Sequence, residues 1–445
     1  MQIPDKIKES KNLIAKGDEF RKNEEYDKAL EAYSRAIKAD TKANFAYFKR
    51  GQLYIQQNRL NDAITDFNSA ISLNPDFSFA YYKRGLAYLE LKQYRTAIED
   101  LTRAIALNPD LKHIYAKRGY CYSVIKDYDK SISDLTNAID FEENAANAYF
   151  YRANAYFMKQ DYEKAISDYT DTIKRNPDLD RSYISRGICL ANLGRNEEAL
   201  LDFDRAIVID PTSKLAYQYR VILSIRLRYY EKTVQDIDRL IMLKIEDKKM
   251  YVSRAFCNFQ LKNYEDAAID YGKAIVFDGN DATLYLNRAN AEFNIGKYDE
   301  AILDYLKAIE LDPQYQTTFF TIATAYFKLE NYKEAIKYYS KVLAINPKNH
   351  QSYVSRGLSF MKLGHTNKAL EDFTLALEIK QDIPQVYLNR AIAFRTQNRF
   401  DEAAKDFIDY LVLMPVDNKH AHQIKAWLKK NGYPYDFYSE AVVAQ

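Results

Sequence analysis

The residues most able to do covalent or metal chemistry are three Cys and five His: Cys121, Cys189 and Cys257, with His113, His350, His365, His420 and His422. A thiol can act as nucleophile, redox centre or metal ligand, and an imidazole as base or ligand. Their spacing argues against each role. The Cys are evenly spaced, one at every second copy of a repeating pattern. Two repeats of stacked helices separate them by roughly 20 Å, far beyond the ~7 Å Cα limit for a disulfide. Each Cys is therefore expected to be a small buried hydrophobe. His420 and His422 are two positions apart and diverge on a helix, so they make a poor metal pair. The chain contains no Cys-x-x-Cys, His-Glu-x-x-His, phosphate loop, Gly-x-Gly-x-x-Gly or Gly-x-Ser-x-Gly. Nothing assembles a nucleophile, a base and oxyanion donors, so neither catalysis nor a cofactor or metal is expected.

Two charged patterns remain. Arg recurs with a constant period, and an Asp follows each at a fixed offset: Arg50/Asp66, Arg84/Asp100, Arg118/Asp134, Arg152/Asp168, Arg186/Asp202, Arg220/Asp236, Arg254/Asp270, Arg288/Asp304, Arg356/Asp372 and Arg390/Asp406. Where the Arg is absent, the Asp is absent too, as in Lys16/Ala32 and Ile322/Tyr338. Joint loss implies contact, so each pair is expected to be a partly buried ion pair, because a guanidinium between helices needs a carboxylate. The second pattern is Lys49, Lys83 and Lys117, spaced by the same period and each beside aromatic residues.

That period, thirty-four positions, sets the scaffold. Tyr-x-x-Arg-Gly/Ala recurs from Tyr47 through Tyr387, and a degenerate copy opens with Leu13, Lys16 and Gly17. Twelve copies run in one register from Ser10 to Asp417, with no insertion or deletion. Each carries two apolar-periodic stretches of helical spacing, such as 44–57 and 60–73, often ended by Asn-Pro or Asp-Pro. Small residues recur at positions 8 and 20 of the copy, for example Gly51 and Ala63, and allow close helix approach. One such hairpin cannot bury its own apolar face, so hairpins must stack.

These residues resemble the tetratricopeptide repeat (TPR) family, with Ala or another small residue at position 20 and Pro at position 32 in seven copies. The resemblance covers all but the two ends. It implies an all-α fold, a right-handed superhelical solenoid of more than one turn. The expected organisation is a lead-in at 1–9, repeats at 10–417, a capping helix at 418–431 with Ile424, Trp427 and Leu428 on one face, and an aromatic tail at 432–445 that packs in its own groove or on a partner.

Composition excludes other classes. Lys+Arg 64 against Asp+Glu 62 leaves +2, so no global basic field attracts nucleic acid. Aromatics reach 14%, yet most of the 39 Tyr occupy packing positions 4, 11, 17 and 24, which speaks against base stacking. No apolar run approaches the ~18 residues of a membrane span. With no apolar leader at 1–12 and only three Cys, a cytosolic-type compartment is expected.

In the family, positions 2, 5, 6, 9, 12 and 13 of the first helix line a concave groove that binds protein segments. No three consecutive copies carry the family's carboxylate clamp for chaperone C-termini; copy five has Asn154 but also Phe150. Copies two to four place Phe45, Phe48, Lys49, Phe79, Tyr82, Lys83, Leu86, Lys117 and Tyr120 on the groove, which suits an extended acidic and apolar peptide. Copies nine to twelve place Asn287, Asn290, Asn294, Thr321 and Asn389 there, side chains able to hydrogen-bond an extended backbone. Copy seven departs from the pattern at Val221, Ser224, Thr233, Leu240 and Ile245, which implies either altered curvature or a docked partner. The reading is a non-enzymatic protein-binding scaffold. The alternatives are an architectural subunit of a large cytoskeletal, ciliary or organellar assembly, or a regulatory arm presenting substrates to a separate enzyme.

Overall fold

A computed structural model describes residues 3–141, 145–414 and 419–433. Among these the chain is all α-helix, apart from a 3-10 turn at Pro313–Thr318. It divides into two compact units, 1–226 and 227–445. The first contains copies one to six and the first helix of copy seven (Lys214–Arg226); the second contains the second helix of copy seven (Tyr230–Met242), copies eight to twelve and a last helix, Lys419–Lys430. The aromatic tail beyond Tyr433 lies outside the described residues, as does Pro415.

Within each unit every first helix packs on its own second helix, and every second helix on the next first helix. Copy two illustrates the hairpin, with helices Asn44–Gln56 and Leu60–Leu73. Gly51 sits against the Phe67 ring, where an added Cβ would come within 2.8 Å. Ala63 and Ala70 are fully buried on the same seam. The core runs on between hairpins: Leu101 and Ala104 of copy three pack with Leu111, Ile114 and Cys121 at the entry to copy four. All three Cys are buried and free, and burial raises the thiols to about 11, 12 and 11 for Cys121, Cys189 and Cys257.

Backbone chemistry ends each helix differently. The first helix closes at position 15 in a left-handed residue, as at Lys92 (φ 59), and the following Gln93 N–H returns to the Tyr88 carbonyl at 2.8 Å. This satisfies a carbonyl that the helix end would otherwise leave orphaned. In most copies the second helix ends in an Asn or Asp whose carboxyl or amide oxygen accepts the N–H two residues on, for example Asn74 from Asp76 at 3.2 Å; copies eleven and twelve end instead at Lys380 and Met414. Copy seven differs here: its second helix closes through left-handed Lys244 (φ 60), with Ile245 N–H on the Leu240 carbonyl at 3.0 Å. In place of the Asx turn, Asp247 caps the next helix by accepting Met250 N–H at 2.8 Å.

The Arg/Asp column forms the pairs that joint loss implied. In nine copies Nε and Nη2 of the Arg donate to the two Asp oxygens at 2.6–2.9 Å: Arg50, Arg84, Arg118, Arg152 and Arg186 in the first unit, and Arg254, Arg288, Arg356 and Arg390 in the second. Arg220 lies in the first unit and Asp236 in the second. The structure adds a third bond. Nη1 donates to a short polar side chain at position 25 of the preceding copy, at 2.6–3.2 Å to Ser34, Asn68, Thr102, Thr136, Thr170, Ser340 and Thr374. Arg220 and Arg254 reach Asp204 and Asp238 in the same way. In eight copies the guanidinium therefore ties a hairpin to its predecessor as well as closing its own.

Arg288 breaks this column, because position 25 of copy eight is Gly272. A Cβ built there would lie 3.5 Å from Arg288 Nη1, ordinary contact distance with room for a hydroxyl. Gly272→Ser is expected to raise stability by about 1 kcal/mol, from a better helix former and one restored hydrogen bond. An increase in the denaturation midpoint measures it; a decrease would show that the column does not staple hairpins.

Candidate functional site

The first helices of copies two to four carry the N-terminal candidate surface. Phe45 and Phe79 are 54% and 43% exposed, a large cost for aromatic rings left in water. Phe45 leans on Phe77 with centroids 5.1 Å apart. Leu86 and Tyr120 are half-buried, and Lys117 is exposed. Tyr120 packs against Tyr151 of copy five at 4.8 Å.

Three of the nominated residues are not free groove groups. Phe48 is wedged between Phe67 and Phe77, at 5.9 and 4.7 Å, and is buried. Tyr82 is likewise buried, edge-on to His113 at 5.0 Å. Position 5 points toward the next hairpin, so its ring completes the inter-hairpin core. Lys49 is ion-paired with Asp18 of copy one at 3.1 Å. The expected row of three free ammonium groups is thus a pair, Lys83 and Lys117, neither of which has a carboxylate partner among the described residues. Lys83 lies half-buried with its amine 5.2 Å over the Tyr82 ring, and burial lowers its pKa. An anion brought to it would compensate that desolvation.

Position 9 follows a rule that sequence reading missed. Where position 24 is Tyr and position 9 is polar, the hydroxyl reaches through the hairpin to the position 9 side chain: Tyr33 to Asp18 at 2.8 Å, Tyr169 to Asn154 at 2.7 Å and Tyr305 to Asn290 at 2.7 Å, whereas copy eight combines Tyr271 with Phe256. Tyr339 and Thr324 hydroxyls are 3.2 Å apart. The signal was the co-occurrence of Tyr and a polar residue at a constant offset within one copy. Asn290 therefore commits its oxygen to Tyr305 and keeps only its amide for a guest. Asn294 turns its amide onto the Asn290 carbonyl of its own helix at 2.7 Å. Asn287, Thr321 and Asn389 are half-buried without a hydrogen-bond partner among the described residues, and they are what remains of the C-terminal polar groove.

Family models for the tetratricopeptide repeat match residues 17–58, 51–92, 78–111, 146–179, 282–315, 317–349 and 354–415, together more than half the chain. The chain belongs to the tetratricopeptide repeat family. The matches skip copies four, six, seven and eight, the stretch that includes Ser131, Thr233 and Gly272 at otherwise regular positions. No curated protein sequence matches. Solved structures of similar fold include YrrB, described as a TPR protein with an unusual peptide-binding site, at 21% identity over 43% of this chain and 98% of that one, TM-score 0.41. A tetratricopeptide repeat protein from Parabacteroides merdae is 18% identical over 64% of this chain and 99% of its own, TM-score 0.38. Yeast Tom70 is 18% identical over 95% of each chain, TM-score 0.32. Among the described residues of this TPR protein, no helix is long and apolar enough to cross a membrane.

Proposed function

We propose that this TPR protein is a non-enzymatic scaffold of a cytosolic-type compartment that holds an extended protein segment along the first helices of copies two to four. The observation that supports this reading is Lys83, a half-buried cation with no carboxylate partner among the described residues, on a helix that also carries the exposed ring of Phe79, with the exposed Phe45 on the first helix of the preceding copy. A segment placing an acidic side chain on Lys83 and apolar side chains on the two rings would compensate the desolvation of the cation and take the exposed rings out of water. Such a segment binds in extended form, because successive hairpins present the same positions at regular intervals.

The test is capture of partners on the immobilised full chain, compared with a Lys83→Glu/Lys117→Glu variant. Lys117 is exposed and Lys83 half-buried, so an unchanged melting temperature of the variant controls for folding. Partners of the groove are expected to weaken by at least about tenfold on charge reversal, since an attractive contact becomes a repulsive one. Partners retained equally by both proteins would reject this site.

A further inference from the structure

The outer faces of the second helices in copies seven to nine carry an ordered charge pattern that the groove does not use. These helices, Tyr230–Met242, Tyr264–Phe277 and Tyr298–Leu311, all lie in the second unit. Their buried positions are 20, 23, 24 and 27, as Ala267, Asp270, Tyr271 and Ala274 show. Positions 18, 22, 26 and 29 therefore face outward. Position 18 is acidic throughout, as Glu231, Glu265 and Asp299. Position 26 is basic throughout, as Arg239, Lys273 and Lys307. Between them, position 22 is Ile269 and Leu303, 57% and 68% exposed. One turn further, Met242 and Val276 are 71% and 86% exposed. Position 22 is the polar Gln235 in copy seven, and copies ten to twelve put Lys337, Glu371 and Lys405 there, so within the second unit the apolar row is confined to copies eight and nine; copy six, in the first unit, also has an exposed Leu201 at this position. The basic row is held only loosely by its own helices: Lys307 lies 3.1 Å from exposed Glu310, and Lys273 lies 3.9 Å from Asp270.

We propose that this face binds a second copy of the chain. With a rise of about 1.5 Å per residue, the acidic, apolar and basic rows sit about 6 Å apart along the helices. A two-fold axis running along the apolar row turns the acidic row of one molecule over the basic row of the other and lays Ile269 and Leu303 on their own counterparts. A two-fold axis parallel to the helices would instead set acid on acid, so the pattern selects one arrangement. That is the self-complementarity an isologous interface requires. The area available on three helices is on the order of 1,000 Å², at the lower end of specific interfaces, which suits a weak or transient dimer.

Sedimentation velocity on the full chain, at roughly 1 to 100 µM, is expected to show a concentration-dependent shift to twice the monomer mass. Leu303→Glu should abolish the shift. Lys273→Glu/Lys307→Glu and Glu265→Lys/Asp299→Lys should each weaken self-association by at least about tenfold, because each opposes like charges. Mixing these two variants should restore a heterodimer, since every opposed row is then of unlike sign. These side chains face solvent, so an unchanged melting temperature controls for folding. A chain that stays monomeric at the highest concentration, a dimer untouched by Leu303→Glu, or charge variants that fail to rescue each other would each overturn the proposal.

Discussion

Asp134→Ala is expected to destabilise the protein by about 3–5 kcal/mol, the cost of leaving a buried partner charge uncompensated. Asp134 is 4% exposed and takes both fork bonds of Arg118, at 2.7 and 2.8 Å. The guanidinium lies 5.6 and 5.9 Å from the Tyr115 and Tyr122 ring centres and donates its third bond to Thr102 at 3.1 Å. Without Asp134, Arg118 would remain among aromatic rings with only a neutral hydroxyl to answer its charge. Asp110→Ala, at an exposed side chain, should change stability by no more than about 0.5 kcal/mol.

Copy ten supplies the sharper test, because it replaces the pair with apolar groups. Ile322 and Tyr338 are buried there, and Tyr338 stacks on Tyr326 at 5.5 Å. Replacing a buried ion pair by well-packed apolar side chains is often neutral or stabilising, whereas removing one partner is not. The double variant Arg118→Ile/Asp134→Tyr should therefore recover most of what Asp134→Ala loses in chemical denaturation. If the double variant were as unstable as the single one, the penalty would not arise from a stranded charge.

What the sequence reveals about this fold is what repeats within one copy. Arg and Asp at positions 7 and 23 vanish together, and that alone pairs them before any coordinates. Contacts between copies are harder to see, because two residues in different periods share no local spacing. The Lys49–Asp18 pair joins position 6 of one copy to position 9 of the one before, a combination that forms an ion pair once among the described residues. Phe48 and Tyr82 fall on the groove-bearing helix, yet Phe77, the residue that leads into the next first helix, closes over Phe48, and His113 of the next copy closes over Tyr82. The third Arg bond was visible as a column of Ser, Thr, Asn and Asp at position 25, which passes for an ordinary solvent-facing row until the guanidinium above it is seen. The left-handed turn at position 15 carries Gly in only three copies, Gly194, Gly296 and Gly364, and Lys, Glu, Gln, Asn or Arg elsewhere. Hairpin stacking supports that backbone well enough to override the glycine preference.

Glu292→Gln is expected to stabilise the protein at pH 8 by roughly 2 kcal/mol and to leave it nearly unchanged at pH 4. Position 11 is Tyr or Phe in most copies, but copies seven to nine carry Ser224, Asn258 and Glu292. The Glu292 side chain is 14% exposed, and its Oε2 has no hydrogen-bond partner. Burial, then the nearby Asp304, raise its pKa from 4.5 to about 7; Arg288, 3.9 Å away, opposes the shift, with Glu300 and Lys297 contributing in opposite directions. Below about pH 4.5 the carboxyl is protonated in both the folded and unfolded chain and costs nothing differential. Between 4.5 and 7 the unfolded chain ionises first, so stability falls as pH rises, and above 7 the folded chain bears the full cost of a buried, poorly partnered carboxylate. A neutral amide of the same shape does not titrate, so its advantage should grow across that window and level off above it. Melting temperatures of the two proteins measured from about pH 4 to pH 8 would show the difference opening with pH; a constant offset would mean that Glu292 does not hold a proton near neutrality. A carboxyl that gives up its proton near pH 7 inside the copy-nine hairpin makes the part of the second unit bearing Leu303 and Asn287 less stable at high pH than its neighbours, since solenoid stability is set by nearest-neighbour interfaces.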